Sequence, residues 1–293
     1  MKLISLKYDY AFRELFSHES IRKFFISDVT GIPLESIKTV QLTTPYLWKR
    51  YQMQKQGILD VTVILNDDTR IDIELQIHGQ EYWLERNLFY LAKMYTDDLK
   101  AGQRYDRLRK CITISILDFE LIPGEEYHTA YTLRDKNGRE LTGLFELHFI
   151  ELRKKTVAGD AVGEWIRLFN AKNSEELEMI KTKNAGILEA MEVMKRMSLS
   201  KRLRRAYEMH LKAVRDRWAE DEYVRKVGHA EGHAEGKAEG KAETLLMILE
   251  SKGEVPETLR SRILTEGDTD KLEDWVRHAL SCSNIDEFIT NLE

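Results

Sequence analysis

The stretch ILDVTVILNDDTRIDIELQI, residues 58–77, decides how the fold of this chain is interpreted. Two runs rich in β-branched residues flank Asn66-Asp67-Asp68, and this arrangement predicts a β-hairpin. Side chains alternate between the two faces of a strand, so the apolar residues mark one buried face. Those residues are Val61, Val63, Leu65, Ile71, Ile73, Leu75 and Ile77. The hairpin therefore contributes one face to a hydrophobic core.

The other face of the hairpin carries polar residues: Asp60, Asp72, Glu74 and Gln76. Proteins hold Mg²⁺ through one or two carboxylates, and the ion keeps its other positions for water and phosphate oxygens. A bound metal can deprotonate water near neutral pH and stabilise an in-line phosphoryl transition state. We therefore interpret Asp60 and Glu74 as metal ligands, with Gln76 orienting the attacking water. The alternative is a half-exposed antiparallel hairpin with solvated polar residues.

The length of the turn decides which residues face each other across the hairpin. A two-residue turn at Asp67-Asp68 pairs Asp60 with Leu75, which lies on the wrong face for Glu74. A three-residue turn, or a β-bulge near Asp60, brings Asp60 opposite Glu74. The candidate metal site therefore predicts one of these two irregularities.

These acidic residues resemble the motif of a nuclease superfamily. Asp60 followed by Glu74-x-Gln76 resembles the PD-(D/E)XK nucleases, and more closely the Rpn family of recombination-promoting nucleases, also called putative transposases. The opening residues 9–16, DYAFRELF, are similar to that family's D-x-x-F-K-x-x-F helix. Further matches run from Glu85-Arg86 through Tyr90 and Tyr95 to Gly102-Gln-Arg-Tyr105. The resemblance covers about residues 5–155 and extends to the glycine-repeat tail.

Two positions depart from the superfamily pattern. Leu59 stands where a proline precedes the first acid, and Gln76 stands in place of the lysine of the E-x-K pair. Members of the Rpn family commonly carry glutamine at the second position. Because glutamine does not titrate, the role we assign to Gln76 is positional.

The resemblance implies a DNA endonuclease dependent on Mg²⁺ or Mn²⁺ and linked to recombination or mobile elements. Its catalytic residues would be Asp60, Glu74 and Gln76. In the superfamily an acid on the first helix can reach the metal, so Glu14 is an additional candidate, as is Asp72. One alternative is a catalytically weak nuclease fold that binds DNA or protein and assembles through its helical tail. Another is a purely structural assembly protein.

The periodicity of the chain predicts an α/β fold with the element order αβββαβ, which is restriction-endonuclease-like. The predicted elements are a helix at 8–28 ended by Gly31-Ile32-Pro33, a strand at 36–42, the hairpin, a helix at 80–101 and a strand at 111–117. The buried stripe of the second helix is predicted to be Trp83, Leu84, Leu88, Leu91, Ala92 and Tyr95. A further hairpin at 127–152 turns on Lys136-Asn137-Gly138, a type I′ signal.

After about residue 155 the pattern becomes helical. Helices are predicted at 164–170, at 174–182 with Ser174 as N-cap, and over 187–223 as one helix or two. We therefore predict a nuclease-like domain at 1–155, a helical region at 156–225, and a glycine-repeat helix with a small helical cap at 226–293. The cap would be built from Leu272, Trp275, Val276, Leu280, Ile285 and Phe288.

Contacts with DNA have to come from local basic patches, because the chain carries a net charge of −5. Lys49 and Arg50 lie in an aromatic and basic patch, and Arg86 and Lys93 lie on the second helix. The stretch 195–218 holds nine Lys and Arg residues and two acids, and in it we single out Arg202, Arg204 and Arg205. The alternative for each is an ordinary solvated side chain.

Residues 228–243 repeat a four-residue unit, G-[HK]-A-E. On a helix, residues four apart stack, so the repeat forms glycine, basic, alanine and glutamate stripes. Like charges four apart and interior glycines destabilise a lone helix, which favours an association helix and a homo-oligomer. The alternative is a flexible low-complexity linker. His229 and His233 have a zinc-compatible spacing without an evident third ligand.

Composition excludes several other classes of protein. The chain has 293 residues, 42% hydrophobic and 32% charged, which is typical of a folded soluble protein. Its two cysteines, Cys111 and Cys282, are far apart in sequence and predict a reducing compartment without a disulfide. The start of the sequence does not resemble a signal peptide, and no apolar run is long enough to span a membrane. We expect a cytoplasmic protein without a membrane partner.

Overall fold

The computed structural model describes residues 1–42, 61–97, 99 and 102–290, together with the backbone of residues 46–47 and 57–58. These residues form two compact units, Met1–Glu208 and Met209–Glu293. The division predicted from the sequence, at about residues 155 and 225, stays a prediction.

The first unit is built around a six-stranded mixed sheet. Its strands, in spatial order, are β1 (Val40–Leu42), β4 (Val61–Leu65), β5 (Arg70–Gln76), β6 (Cys111–Leu117), β8 (Glu140–Glu151) and β7 (His128–Arg134). Strands β5, β6 and β8 run parallel, and the other neighbouring pairs are antiparallel. Two short strands, β2 (Tyr46–Leu47) and β3 (Gly57–Ile58), pair with each other. Every residue of β6 is buried, as expected for the centre of a sheet covered on both faces.

The predicted element order is observed. Helices α1 (Asp9–Ser17) and α2 (Glu19–Thr30) precede β1, the hairpin of β4 and β5 follows, and α3 (Trp83–Thr96) leads to β6. A short 3₁₀ turn, Leu34–Ser36, comes before β1 and occupies the start of the strand predicted at 36–42. Another lies at Tyr105–Arg107, after α3.

The central hairpin has the three-residue turn that the candidate site requires. The amide of Leu65 donates to the carbonyl of Thr69 at 2.9 Å, so Asn66, Asp67 and Asp68 form the loop. Asp68 has a left-handed backbone conformation, with φ of 63°, which is typical of a type I turn followed by a bulge residue. Val61 consequently lies opposite Ile73, the register that the prediction needed.

The single helix predicted over residues 8–28 is wrong, because the chain leaves the helical conformation at His18. Arg22 explains how the break is tolerated. Its buried guanidinium donates to the carbonyl of Phe16 at 2.6 Å and to that of Val40 at 2.9 Å. It therefore satisfies a carbonyl that the end of α1 leaves without a helical partner. Gly31 ends α2 in the left-handed conformation, as predicted.

The turn between β7 and β8 is not of type I′. The amide of Asp135 donates to the carbonyl of Arg139 at 2.9 Å, so the loop contains three residues, Lys136, Asn137 and Gly138. A type I′ turn needs positive φ at two central residues, and within this loop only Gly138 has it, at 81°. The hairpin does extend the sheet, as predicted, with register shifts around Leu133.

Three helices complete the first unit: α4 (Ala161–Asn170), α5 (Ser174–Glu178) and α6 (Ala185–Leu199). They share a core with α1, α2 and the Ile71–Ile73 face of the sheet. The predicted N-cap of α5 is wrong by one residue, because Asn173 rather than Ser174 accepts from the amide of Glu176. Helix α6 ends before Ser200, so the helix predicted over 187–223 is two helices.

Helix α7 (Lys201–Glu250) runs for 50 residues and includes the glycine repeat at 228–243, so the prediction that the repeat is helical is confirmed. In the second unit its last turns pack with α8 (Glu257–Leu264), α9 (Thr269–Ser281) and α10 (Ile285–Thr290). The predicted cap residues contribute to this core except Leu280, which is exposed. Among the described residues, no helix is long and apolar enough to cross a membrane.

Candidate active site

Helix α3 covers the polar face of the central hairpin. It packs through Leu91 and Met94 on Cys111, and through Trp83 on Phe149, whose rings are 5.9 Å apart. Asp72 and Glu74 are consequently 3% and 8% exposed. The alternative of solvated polar residues is therefore wrong for Asp72 and Glu74, whereas Gln76 is half-exposed.

The buried stripe of α3 differs from the predicted one. Trp83, Asn87, Leu91 and Met94 are buried, whereas Leu84 and Leu88 are 41% and 54% exposed. Ala92 is exposed as well, and Tyr95 is half-buried. The prediction is confirmed for Trp83 and Leu91 and is wrong for Leu84, Leu88 and Ala92. A polar residue, Asn87, occupies the middle of the buried face, so apolar periodicity alone does not find that face.

Asn87 belongs to a buried polar layer that the sequence analysis missed. The parallel register places Thr113 beside Asp72 and Ser115 beside Glu74. The amide nitrogen of Asn87 donates to the hydroxyl of Ser115 at 3.0 Å, and its oxygen accepts from the hydroxyl of Thr113 at 3.1 Å. All three side chains are at most 3% exposed. The alternation of Thr113 and Ser115 in β6 was the sequence signal for this layer.

Glu74 forms an ion pair with Arg86 in the first turns of α3. Its Oε1 atom lies 3.0 Å from an Nη atom of Arg86, with the two side chains 10% and 38% exposed. Arg86 also donates to Oε1 of Gln80 at 3.0 Å and lies over the ring of Tyr90, 5.6 Å from its centre. The predicted DNA-binding arginine thus contacts the predicted metal ligand.

Gln76 lies two residues beyond Glu74 on the same face of β5, roughly 7 Å along the strand. Its amide nitrogen donates to the carbonyl of His78 at 2.8 Å. This bond fixes the orientation of the amide group, so its oxygen has a defined direction. Asp72 lies two residues earlier, opposite Thr62 in the antiparallel register and more deeply buried.

The chain matches the family described as PD-(D/E)XK nuclease family transposase over residues 6–223. It belongs to this family. Comparisons with curated proteins and with solved structures found no match. The resemblance drawn from the motifs is confirmed at this level, and so is the restriction-endonuclease-like α/β fold. The matched region stops before the first glycine of the repeat, Gly228.

Membership of the PD-(D/E)XK transposase family makes this chain a nuclease-type hydrolase of a family linked to mobile elements. Glu74 lies on β5, an interior strand of the six-stranded sheet. The partner acid, Asp60, lies outside the residues that the structure describes, as do Lys49 and Arg50. Their roles stay predictions.

The other predicted residues are distributed over several elements. Glu14 is half-buried on α1, whose apolar side packs against the face of the sheet opposite Glu74. The described contacts therefore do not bring Glu14 to the candidate site. Lys93 is half-buried on α3, two turns after Arg86. Its role in DNA binding stays a prediction.

The three arginines of the basic stretch divide into two kinds. Arg202 and Arg205 are exposed near the start of α7. Arg204 instead donates to the carbonyl of Ser198 at 2.7 Å, so it satisfies a carbonyl at the end of α6. Arg204 therefore supports the end of α6, whereas Arg202 and Arg205 are exposed.

The donor chemistry around Glu74 fits a divalent ion. Carboxylate and amide oxygens are the ligands that Mg²⁺ prefers, and Asp72, Glu74 and Gln76 supply them on one face of one strand. Within the described ranges no cluster of three or more His, Cys, Asp or Glu residues has metal-binding geometry. A site with Glu74 therefore needs a further ligand, the role predicted for Asp60.

Proposed function

We propose that this chain is an Mg²⁺-dependent DNA endonuclease that acts in recombination or the movement of mobile elements, and that Mn²⁺ can replace Mg²⁺. One observation carries the proposal: a buried carboxylate, Glu74, and an oriented amide, Gln76, lie two residues apart on the same face of an interior strand. Burial of a carboxylate costs free energy unless an opposite charge accompanies it, and at Glu74 a bound metal would be such a charge.

In this proposal Asp60 and Glu74 hold the metal. The bound ion supplies a water of lowered pKa and neutralises charge that develops on the phosphate. Gln76 hydrogen-bonds and orients the attacking water without titrating, which is the positional role left to a residue that replaces lysine. The hydrogen bonds of Asn87 with Thr113 and Ser115 hold α3 at a fixed distance from the sheet. They thereby fix the position of Arg86, on α3, relative to Glu74, on β5.

Binding of the DNA backbone is assigned to positive side chains on several elements: Lys49, Arg50, Arg86, Lys93, Arg202 and Arg205. Contacts with phosphates release counterions, so binding should weaken steeply as salt rises. Helix α7 is proposed to join copies of the chain into a homo-oligomer through its glycine-repeat segment. The working compartment is the cytoplasm, in keeping with two free, buried cysteines.

A second function is a catalytically weak nuclease fold that binds DNA or protein and acts through its helical tail. Gln76 in place of lysine favours it, because glutamine cannot serve as a proton donor or acceptor through ionisation. The ion pair of Glu74 with Arg86 also favours it, because a catalytic metal would have to bind the carboxylate that Arg86 already contacts.

Nicking of supercoiled plasmid separates these functions. The purified chain should cut with Mg²⁺ or Mn²⁺ and be inactive with a chelator. Glu74→Gln keeps the size and hydrogen-bonding shape of the side chain but removes a ligand charge, so cleavage should be nearly abolished. Asp60→Asn should do the same. A matched control is Glu220→Gln, at an exposed position on α7, which should cut normally.

Robust cutting by both Asp60→Asn and Glu74→Gln would contradict the site. Binding of DNA without metal-dependent cutting by the native chain would favour the second function. Absence of both binding and cutting would favour a purely structural assembly protein.

A further inference from the structure

The carboxylate of Glu74 is neutralised by a cation from its own chain. Its side chain is 10% exposed, and the guanidinium of Arg86 lies 3.0 Å away. An ionised carboxylate removed from water is costly unless an opposite charge accompanies it. Arginine remains charged at any ordinary pH, so Arg86 supplies that charge whether or not a metal is present.

The guanidinium of Arg86 is also placed so that it can move away from Glu74. Its side chain is 38% exposed, and two further contacts, Oε1 of Gln80 at 3.0 Å and the ring of Tyr90, hold the guanidinium at the surface. The backbone of α3 beneath it is fixed by the bonds of Asn87 to β6. The guanidinium can therefore change partner while the helix stays in place.

A divalent ion on Glu74 changes the electrostatics of this contact. Two positive groups would then share one carboxylate at close range, and the Glu74 side chain is only 10% exposed, so water screens their repulsion less than it would at the surface. The exposed and movable group is Arg86. The anion that can accept it is a phosphate of the DNA strand, whose paired oxygens match the planar guanidinium.

We propose that Arg86 is the resident counter-ion of Glu74, that a divalent metal displaces it, and that the displaced guanidinium then binds the phosphate at the metal. This inference rests on the proposed function, because it takes Glu74 as a metal ligand. It gives Arg86 a different role from that of Lys93: Arg86 couples metal binding to substrate binding, whereas Lys93 adds positive charge only.

Metal affinity measured without DNA tests this role. Mn²⁺ is titrated calorimetrically into the native chain and into Arg86→Gln, Arg86→Lys, Glu74→Gln and Arg104→Gln. Arg86→Gln removes the competing cation, so it should bind Mn²⁺ about tenfold more tightly, the effect of losing one moderate charge interaction. Arg86→Lys keeps the charge and should bind no more tightly than the native chain. Arg104→Gln removes a charge from a side chain that is 87% exposed, and it should match the native chain.

DNA cleavage at saturating Mn²⁺ gives the second half of the test. Arg86→Gln should cut more slowly than the native chain although it binds the metal more tightly, because it lacks the guanidinium that would bind the phosphate. Cleavage as fast as native would overturn the phosphate step.

Thermal unfolding covers the case in which Arg86→Gln folds poorly. In chelator, the buried carboxylate lacks its counter-ion and should lower the melting temperature of this variant. Addition of Mn²⁺ should then raise the melting temperature of Arg86→Gln by more than it raises that of the native chain. No metal-dependent recovery would overturn the proposal.

The two hypotheses fail in different ways. If Glu74→Gln leaves Mn²⁺ binding unchanged, Glu74 is not a ligand, and the proposed function falls together with this inference. If Glu74→Gln abolishes binding while Arg86→Gln binds no more tightly than native, only the counter-ion role falls.

Discussion

Asn87 on α3 and Ser115 on β6 are joined by a hydrogen bond of 3.0 Å, and neither side chain is more than 3% exposed. Ser115 is the direct neighbour of Glu74 in the parallel register. The bond therefore connects the helix that carries Arg86 to the strand next to the candidate metal ligand.

Replacing Asn87 by Ala should destabilise the protein and slow cleavage. The change leaves the hydroxyls of Thr113 and Ser115 buried without this amide, a loss of about 1–3 kcal/mol per unsatisfied group. Urea unfolding measures the stability, and plasmid nicking measures the rate. Asn137→Ala, in the exposed loop between β7 and β8, is the matched control. Native stability in Asn87→Ala would mean that the layer does not hold α3.

Gln76→Lys tests the positional role of the amide. This substitution restores the residue of the wider superfamily, and a lysine near a metal-bound water adds a positive charge that lowers the pKa of that water. We expect faster nicking, with the optimum moved to lower pH. Gln76→Ala should reduce the rate less than Glu74→Gln does, because it removes orientation rather than a ligand charge. A Gln76→Ala variant as inactive as Glu74→Gln would assign Gln76 a ligand role instead.

The pair His128–His148 predicts a dependence of stability on pH. Its rings are stacked, with Nε2 of His128 3.1 Å from Nδ1 of His148. Burial, and to a smaller extent the neighbouring His148, lower the pKa of His128 from 6.5 to about 4. The unfolded chain binds this proton below pH 6.5, whereas the folded chain does not until about pH 4. Stability should therefore fall as pH falls through this window.

Urea unfolding at pH 7 and pH 5 measures the effect of His128. Glu146 contributes separately, because hydrogen bonds from His148 and Lys110 outweigh burial and lower its pKa. Its contribution is lost at pH values below the ordinary glutamate value of 4.5, outside the compared range. His128→Gln should reduce the loss between the two pH values, and His229→Gln, exposed on α7, should not. Equal losses in native and His128→Gln chains would contradict the assignment.

The basic start of α7 should contribute to DNA affinity through salt-dependent contacts. Arg202→Ala with Arg205→Ala is the informative change, because Arg204 also supports the end of α6. Each lost phosphate contact should lower the slope of log affinity against log salt by about 0.9 for duplex DNA. The matched control is Lys136→Ala with Arg139→Ala, two exposed residues at the turn between β7 and β8. An unchanged affinity and slope would mean that this face binds something else.

The alanine stripe of α7 provides a test of assembly. Ala238 and Ala242 are buried against the C-terminal helices, while Ala234 and Ala230, about one and two turns before Ala238, are exposed. If these two form the contact with another copy, Ala230→Glu and Ala234→Glu should lower the mass in sedimentation, as should deletion of residues 225–293. Ala213→Glu is the control at another exposed position. An unchanged mass distribution in the stripe variants would count against association through this helix.

The sequence predicted the parts of the fold that depend on alternation and turn length. The hairpin of β4 and β5 and the element order follow from local patterns. The three-residue turn was one of the two irregularities that the candidate metal site required. The break at His18 could not be predicted, because it is stabilised by Arg22 reaching a strand far along the chain. Trp83 and Leu91 on the buried face of α3 were predicted. Asn87 was missed, because its burial depends on Thr113 and Ser115, which bond it from another strand.

Arg22 has one more consequence, for the edge of the sheet. Among the strands that the structure describes, β1 lies at that edge. Unpaired carbonyls on an edge strand favour pairing with a strand from another molecule. The carbonyl of Val40 accepts from Arg22, and that of Lys38, just before the strand, accepts from Lys23 at 2.8 Å. Cationic side chains thus take the acceptors that an incoming strand would use. Aggregation by strand addition at β1 would first have to break these bonds. One of them is to the guanidinium of Arg22, which is buried and would lose its partner without gaining water.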